Sequence, residues 1–268
     1  MRTPLSGRGA GVSPAAERRK RRLLLLAALA TSVVFAADLP PLPELRIPRT
    51  ASPVALNGRL DDKWDVAGAA RFMLTEFWTR PDATPTGETT TVRIAYDDHS
   101  LYLGFHCVDT HIVGNRTAAD DQTYRDDCVE VFLADDRERL SDAIGLEVSV
   151  TGAIADFYYR HSDWFHYGWD SHAIVKTGRV TFPDGRSGFV IEISIPWRTV
   201  LPALGPRKRG GALRANFGRW NQRPGEKPPS VFSLWSHSGL SFPSPHRPER
   251  YGRLILADSP ETLPPAAP

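Results

Sequence analysis

The chain has 268 residues, with 33 Lys and Arg against 31 Asp and Glu, and a formal net charge of +2. Hydrophobic content of 41% and charged content of 24% suit a globular protein with a sizeable core and exclude a disordered or collagen-like chain. The basic residues bunch at the N-terminus, so the remainder carries no basic stripe of the kind that binds nucleic acid.

Glu17-Arg-Arg-Lys-Arg-Arg22 precedes the apolar run Leu23 to Ala37, which ends in small residues and is followed by Asp-Leu-Pro-Pro. Such a pattern marks an export signal, with Val34 and Ala36 at the recognition positions for cleavage after Ala36. The run is short for a membrane span, which leaves an uncleaved single-pass anchor as the alternative. Residues 1–37 are therefore expected to be a signal peptide, and the mature protein to be periplasmic or extracellular with no membrane span. Between residues 38 and 53 the prolines are dense, which predicts an extended linker. Export permits disulfides, and the two cysteines, Cys107 and Cys128, each fall inside a predicted strand; a bonded pair and two buried thiols both fit. Neither has a C-x-x-C partner for a metal.

The folded domain is expected over residues 54–258. Leu56 to Trp64 reads as an Asn57-Gly58 turn, then a short helical turn capped by Asp61 or Asp62, with Trp64 as a core anchor. After a loop over residues 80–90, Thr91 to Tyr96 and Leu101 to Val108 alternate as a hairpin around Asp97-Asp-His-Ser100. Gln122 to Leu133 sets an acid-rich turn against a strand, with Cys128, Glu130 and Phe132 on one face and Val129, Val131 and Leu133 on the other. A charged connection over residues 135–142 leads to a second hairpin, Ile144 to Val150 and Ala153 to Tyr159, around Thr151-Gly152. Asp156 to Trp169 concentrates aromatics, which suit either a ligand surface or a lid on the core. Further strands are His172 to Lys176, Gly188 to Ile195, Arg214 to Trp220, Val231 to Trp235 and Tyr251 to Leu256, with one short helix over Trp197 to Leu204 and a disordered tail at 259–268. Nine or ten short strands with little helix predict an all-β fold, an antiparallel β-sandwich of the jelly-roll or immunoglobulin-like kind with one or two short helices, acting as a monomer.

The sequence contains no Gly-x-Ser-x-Gly elbow, Gly-rich phosphate loop, His-Glu-x-x-His helix or EF-hand loop. Glu130 is carried on rigid backbone, where a carboxylate either meets water or lines a cleft and accepts hydrogen bonds from hydroxyls. Tyr124 could present an aromatic plane at the same edge; Trp235, and Trp169 or Trp220, could add others. Asn216, Arg219 and His246 could supply polar contacts, each with a structural role as the alternative. Glu130 paired with Glu147, Asp127 or Asp156 would make a glycosidase. Met73 with His106, His111, His161, His166 or His246 could serve a haem. Acidic turns could donate oxygens to one structural calcium, with Asp61, Asp62 and Asp127 as candidate ligands.

The order of phrases resembles the family 9 carbohydrate-binding modules and their bacterial relatives. The phrases are Leu-Asn-Gly-Arg-Leu-Asp-Asp-Lys-Trp64, Val-Arg-Ile-Ala-Tyr-Asp-Asp98 with Leu-Tyr-Leu-Gly-Phe105, Asp-Asp-Cys-Val-Glu-Val-Phe-Leu133 and Gly-Phe-Val-Ile-Glu-Ile-Ser-Ile-Pro-Trp197. Arg214-Ala-Asn-Phe-Gly-Arg219, Leu234-Trp-Ser236 and His246-Arg-Pro-Glu-Arg-Tyr-Gly252 follow. The resemblance implies a β-sandwich that binds an oligo- or polysaccharide, often at a chain end and often beside xylanases or other polysaccharide-degrading enzymes, with bound calcium. It also implies a sugar ring held between two tryptophans while a glutamate of the central strand accepts hydrogen bonds. Glu130 matches that glutamate, and the first tryptophan falls on Tyr124. The second falls near Pro245 and is not kept, and an arginine of the family's site is replaced near Glu147. The expected function is non-catalytic carbohydrate binding by an exported module. The alternatives are a protein-interaction sandwich without a sugar site, a glycosidase and a haem-binding relative.

Overall fold

Strand alternation and one self-satisfied turn build the first hairpin. In β4 (Thr90–Tyr96) and β5 (Ser100–Val108) the residues Val92, Ile94, Leu101, Leu103, Phe105 and Cys107 point to one side and are fully buried. The turn closes with Asp97 N–H on the Ser100 carbonyl, and the Asp97 carboxylate accepts the amides of His99 and Ser100 at 2.7 and 2.8 Å. The second predicted hairpin, β7 (Asp142–Ser149) and β8 (Ile154–Arg160), turns at Gly152, whose φ of +93° favours glycine.

The computed structural model describes residues 39–59, 61–76, 86–136, 142–160, 163–204, 211–226, 229–240, 242 and 244–257. The expected signal peptide and C-terminal tail lie outside them, and no helix among the described residues is long and apolar enough to cross a membrane. From Pro41 onward these residues form two facing sheets of a β-sandwich. One has five antiparallel strands in the order β10 (Ile174–Thr181), β11 (Ser187–Pro196), β5, β4 and β2 (Ala70–Met73). The other runs β1 (Glu44–Ile47), β14 (Gly252–Leu256), β12 (Ala212–Gln222), β6 (Cys128–Asp135), β7, β8 and β9 (Trp164–His166). Strand β13 (Ser230–Leu234) lies along the second half of β12 and carries β3 (Thr75–Glu76). The core fills the space between the sheets with Leu103, Phe105, Ile191 and Ile193 against Val129, Val131, Leu146 and Phe217.

The predicted linker is partly corrected. Glu44 to Ile47 pairs in parallel with β14, and Ile47 is fully buried, so residues expected to be a tether complete the edge of a sheet. The two cysteines are free: Cys107 sits on the five-stranded sheet and Cys128 on the other. Helix α1 (Lys63–Val66) is a single turn with no side-chain cap from Asp62, and α2 (Trp197–Leu204) is the predicted short helix.

The Asn57-to-Trp64 phrase is explained by one buried acid. Glu192, on β11, accepts the amides of Asn57 and Gly58 at 2.7 and 2.8 Å, the Trp64 indole N–H at 3.1 Å, and pairs with Lys63 Nζ at 2.7 Å. Trp64 lies over Gly104, where an added Cβ would come within 2.6 Å of the indole. Trp64 is thus a core anchor, as its sequence context predicts. Replacing Glu192 by alanine strands a lysine, an indole and two amides, and should cost about 3–5 kcal/mol in urea denaturation, whereas Glu192→Gln, which keeps an acceptor, should cost less.

Candidate ligand-binding pocket

The face of β6 turned away from the core is also buried. Alternation places Cys128, Glu130 and Phe132 there, and the register sets Glu130 between Gly218 of β12 and Glu147 of β7. Gly218 is required by this packing, because a Cβ there would lie 2.6 Å from Glu130 Oε2. Phe157 lies in the same way over Gly145. Beside them Phe132, Phe157, Tyr159, Phe165 and Tyr251 form a second cluster, and the His246 ring meets four of these rings edge-on at 5.0–5.8 Å.

Over this floor opens a pocket of about 470 Å³, within the ~300–1,000 Å³ range of small-molecule sites. Glu130, Glu147, Ala155 and Phe157 lie among its lining residues, and Tyr124, Trp220, Tyr167, Pro245 and His246 join them. Tyr124 is 39% exposed and Tyr167 60%, so both offer ring surface to a ligand. Trp220 stacks on Phe232 at 4.4 Å and donates its indole N–H to Glu130 Oε1 at 2.9 Å. Among the described residues the other carboxylate oxygen of Glu130 is buried without a partner, and so is His246 Nδ1. Glu147 receives the Thr123 hydroxyl at 3.3 Å.

Tyr124 is held by its own acid-rich turn, a single 3-10 turn at Thr123–Arg125. Asp126 accepts the amides of Asn115 and Arg116 and the Ser149 hydroxyl at 2.8–2.9 Å. Asp127 accepts the amides of Val113 and Gln222, and Gln222 donates to the Tyr124 carbonyl at 2.8 Å. The two aspartates therefore fix the loop that carries Tyr124 and do not face the pocket.

Of the six predicted ligand contacts, the structure brings together Tyr124, Glu130 and His246. Asn216 is fully buried and bonds Ser236 through both ends of its amide, at 2.8 and 2.9 Å, where the partners of β12 change from β14 to β13. Arg219 points to the opposite face: 1% exposed, it pairs with Asp109 at 2.8 Å and donates to the Val108 carbonyl at 2.9 Å, tying the two sheets together. Trp235 packs into the core against Phe72 and Phe217 at 5.2 and 5.5 Å. Of the two further planes offered, Trp220 is in the pocket and Trp169 lines another, while Glu147 and Tyr167 are the gains. Trp220 shares the alternation phase of Glu130's face, two and four residues past Gly218 and Asn216, and that phase is the signal that separates it from Arg219.

The predicted calcium set does not fit. Asp61 is bound to Lys63 and Asn57, each at 2.8 Å, both oxygens of Asp127 are taken by amides, and among the described residues no three His, Cys, Asp or Glu side chains gather for a metal. Nor do Met73 and His106 suit a haem. They sit in register on β2 and β5 with β4 between, so both side chains leave the same face of one sheet, whereas two axial ligands must meet the iron from opposite sides. His161 lies outside the described residues.

The model of the carbohydrate family 9 binding domain-like family matches residues 56–217. Among solved structures, a Bacteroides uniformis protein described as a candidate carbohydrate-binding protein matches with a TM-score of 0.67 and 15% identity, over 81% of this chain and 100% of that one. A family 9 carbohydrate-binding module from Caldicellulosiruptor kristjanssonii in complex with cellotriose matches at 0.55 and 18% identity, over 84% and 100%. A structure of such a module from the same organism with glucose matches at 0.53 and 14%, over 83% and 100%. These likenesses show the β-sandwich fold. A comparison with curated proteins finds no match.

The glutamate pair leaves a signature in the stability of the protein. Burial pushes the Glu147 carboxyl up to about 7 from the usual 4.5, and burial together with Glu147 raises Glu130 well above that value. A carboxyl that keeps its proton longer when folded contributes fully below 4.5, and that contribution is lost as pH rises through about 7. Asp127, raised to about 7 by burial and by Asp109, acts with the same sign. His106 and His246, lowered to about 4 by burial, act with the opposite sign up to pH 6.5, so the melting temperature should fall above that, between pH 6.5 and pH 8. Glu147→Gln should melt like the parent at pH 4.5 and higher than it at pH 8, by roughly 2–4 °C per kcal/mol recovered.

Proposed function

The chain belongs to the carbohydrate family 9 binding domain-like family, and from that premise we propose that it binds carbohydrate, without cleaving it, in the pocket over β6, β7 and β12. One observation carries the reading: exposed aromatic planes stand at the rim of a recess whose floor holds a buried carboxylate oxygen with no partner of its own. A sugar supplies both complements, C–H faces that stack on Tyr124, Tyr167 and Trp220, and hydroxyls that donate to Glu130 and pair with His246 Nδ1. Burial lowers His246 to about 4, so at neutral pH the ring is uncharged and can accept or donate.

The disposition of the acids favours binding over hydrolysis. A glycosidase sets its two carboxyls on opposite sides of the scissile bond. Glu130 and Glu147 lie side by side in one floor, and Glu130 is only 2% exposed. The other partners considered for Glu130 alternate away from it: Asp127 is bound to amides, and Asp156 accepts the Ser171 amide at 2.7 Å. The recessed, acid-floored site also differs from the flat apolar patch of a protein-interaction surface. The basic and apolar N-terminal segment supports export, which would place the module with extracellular or periplasmic polysaccharide breakdown, at a chain end of its target.

Calorimetric titration with glucose, cellotriose and xylo-oligosaccharides tests this. Saturable heats are expected, with Tyr124→Ala and Trp220→Ala each weakening binding by about 3- to 10-fold, the scale of one aromatic contact. No heat with any sugar from a folded protein would overturn the reading.

A further inference from the structure

The acids of this protein fall into two groups. Most of those away from the pocket are answered from within the chain: Glu192 by Lys63 and three N–H donors, Asp109 by Arg219, Asp97 by two amides and the Tyr102 hydroxyl, and Asp127 by amides on both oxygens, while Asp126 is answered through Oδ2 and its Oδ1 is buried with no partner among the described residues. Glu130 and Glu147 are the second group. They stand directly opposite each other on neighbouring strands, among the described residues each is met only by neutral donors, and the pair therefore keeps its protons above the usual carboxylate range. Asp120 adds a further carboxylate to the lining, Asp121 in the same lining is paired with Arg116 at 3.3 Å, and no lysine or arginine lines the pocket among the described residues. Asp120 is held there at φ +58°, a conformation that side-chain-bearing residues adopt sparingly. Arg125 lies outside the lining, over the Tyr124 ring at 5.8 Å from its centre.

Resting on the sugar-binding reading above, we infer that the ligand is an aminated sugar, a 2-amino-2-deoxyhexose or its oligomer, whose ammonium group seats on Glu130 and Glu147 while the ring lies against the aromatic walls. A hydroxyl offers one proton to one acceptor. An ammonium offers three donors and a positive charge, enough to engage two neighbouring carboxyl groups together. Tyr124, Tyr167 and Trp220 favour the same ligand, because aromatic faces attract cations, most strongly where water is excluded. A neutral sugar leaves the opposed acids unanswered.

The test is calorimetric titration of the full chain, at pH about 7.5 and low salt, where Glu147 has passed its value of about 7 and the amine still carries charge, with the glucosamine trimer, its N-acetylated counterpart, cellotriose and spermidine. The glucosamine trimer is expected to bind at least about 10-fold more tightly than the two uncharged sugars. Glu147→Gln and Glu130→Gln should bring the ratio of affinities towards one, and added salt should narrow it. Equal or tighter binding of cellotriose or of the acetylated trimer would overturn the inference and leave sugar binding standing. Spermidine binding as tightly as the glucosamine trimer would overturn the sugar half of it. Binding of none of the four by a folded protein would overturn this inference and the sugar reading together.

Discussion

Strand β6 is buried on both faces, and the site follows from that constraint. Its inner residues, Val129, Val131 and Leu133, belong to the core between the sheets, while the outer residues Cys128, Glu130 and Phe132 are no more than 2% exposed. The outer face of a two-layer sandwich ordinarily meets water. Here the chain adds a partial third layer, in which Phe165, His246 and Tyr251 cover Phe132, Phe157 and Tyr159. That layer stops short of Glu130 and Glu147, and the gap it leaves is the pocket.

Each wall of the gap is positioned by something the ligand never touches. The rigid sheet holds Glu130, and the missing side chain of Gly218 gives its carboxylate room. Tyr124 sits on a turn locked from below by Asp126 and Asp127, whose carboxylates replace the strand partners that the backbone of residues 113–116 lacks. Trp220 is fixed twice, by its stack on Phe232 and by its hydrogen bond to Glu130. Such a site pays little ordering entropy when a ligand arrives, since its planes and acceptor are already in place.

Strands with a clear two-residue repeat, from β4 to β8 and again in β11, β12 and β14, were legible because one face of each enters the core. The elements that escaped are β1, β2, β3 and β9, of two to four residues, too short to show a repeat. Strand β1 is also masked by prolines, and its partner lies at the far end of the chain: Glu44 reaches Arg253 across 209 positions. Within the site, Tyr124 and Glu130 could be read from an aromatic next to an acid-bearing strand. Asn216 and Arg219 misled because polarity in a strand suggests a ligand, whereas here it serves a branch in the sheet and a tie between sheets.

Glu192 and Glu130 show why partners, more than patterns, decide a residue's role. Each is an acid in the middle of an apolar strand, Val-Ile-Glu-Ile in one case and Cys-Val-Glu-Val in the other, and no local feature separates them. Their environments do. Glu192 is met by Lys63, Trp64 and two amides 128 to 135 positions away, and it becomes scaffold. Glu130 meets one indole and a second acid, and keeps an oxygen with nothing to bind. A buried carboxyl left in that state costs stability, and the fold answers Glu192, Asp109 and Asp127 with cations or amides but not this one. The deficit stands where the pocket opens, and on the function proposed above its partner is one that arrives from solution.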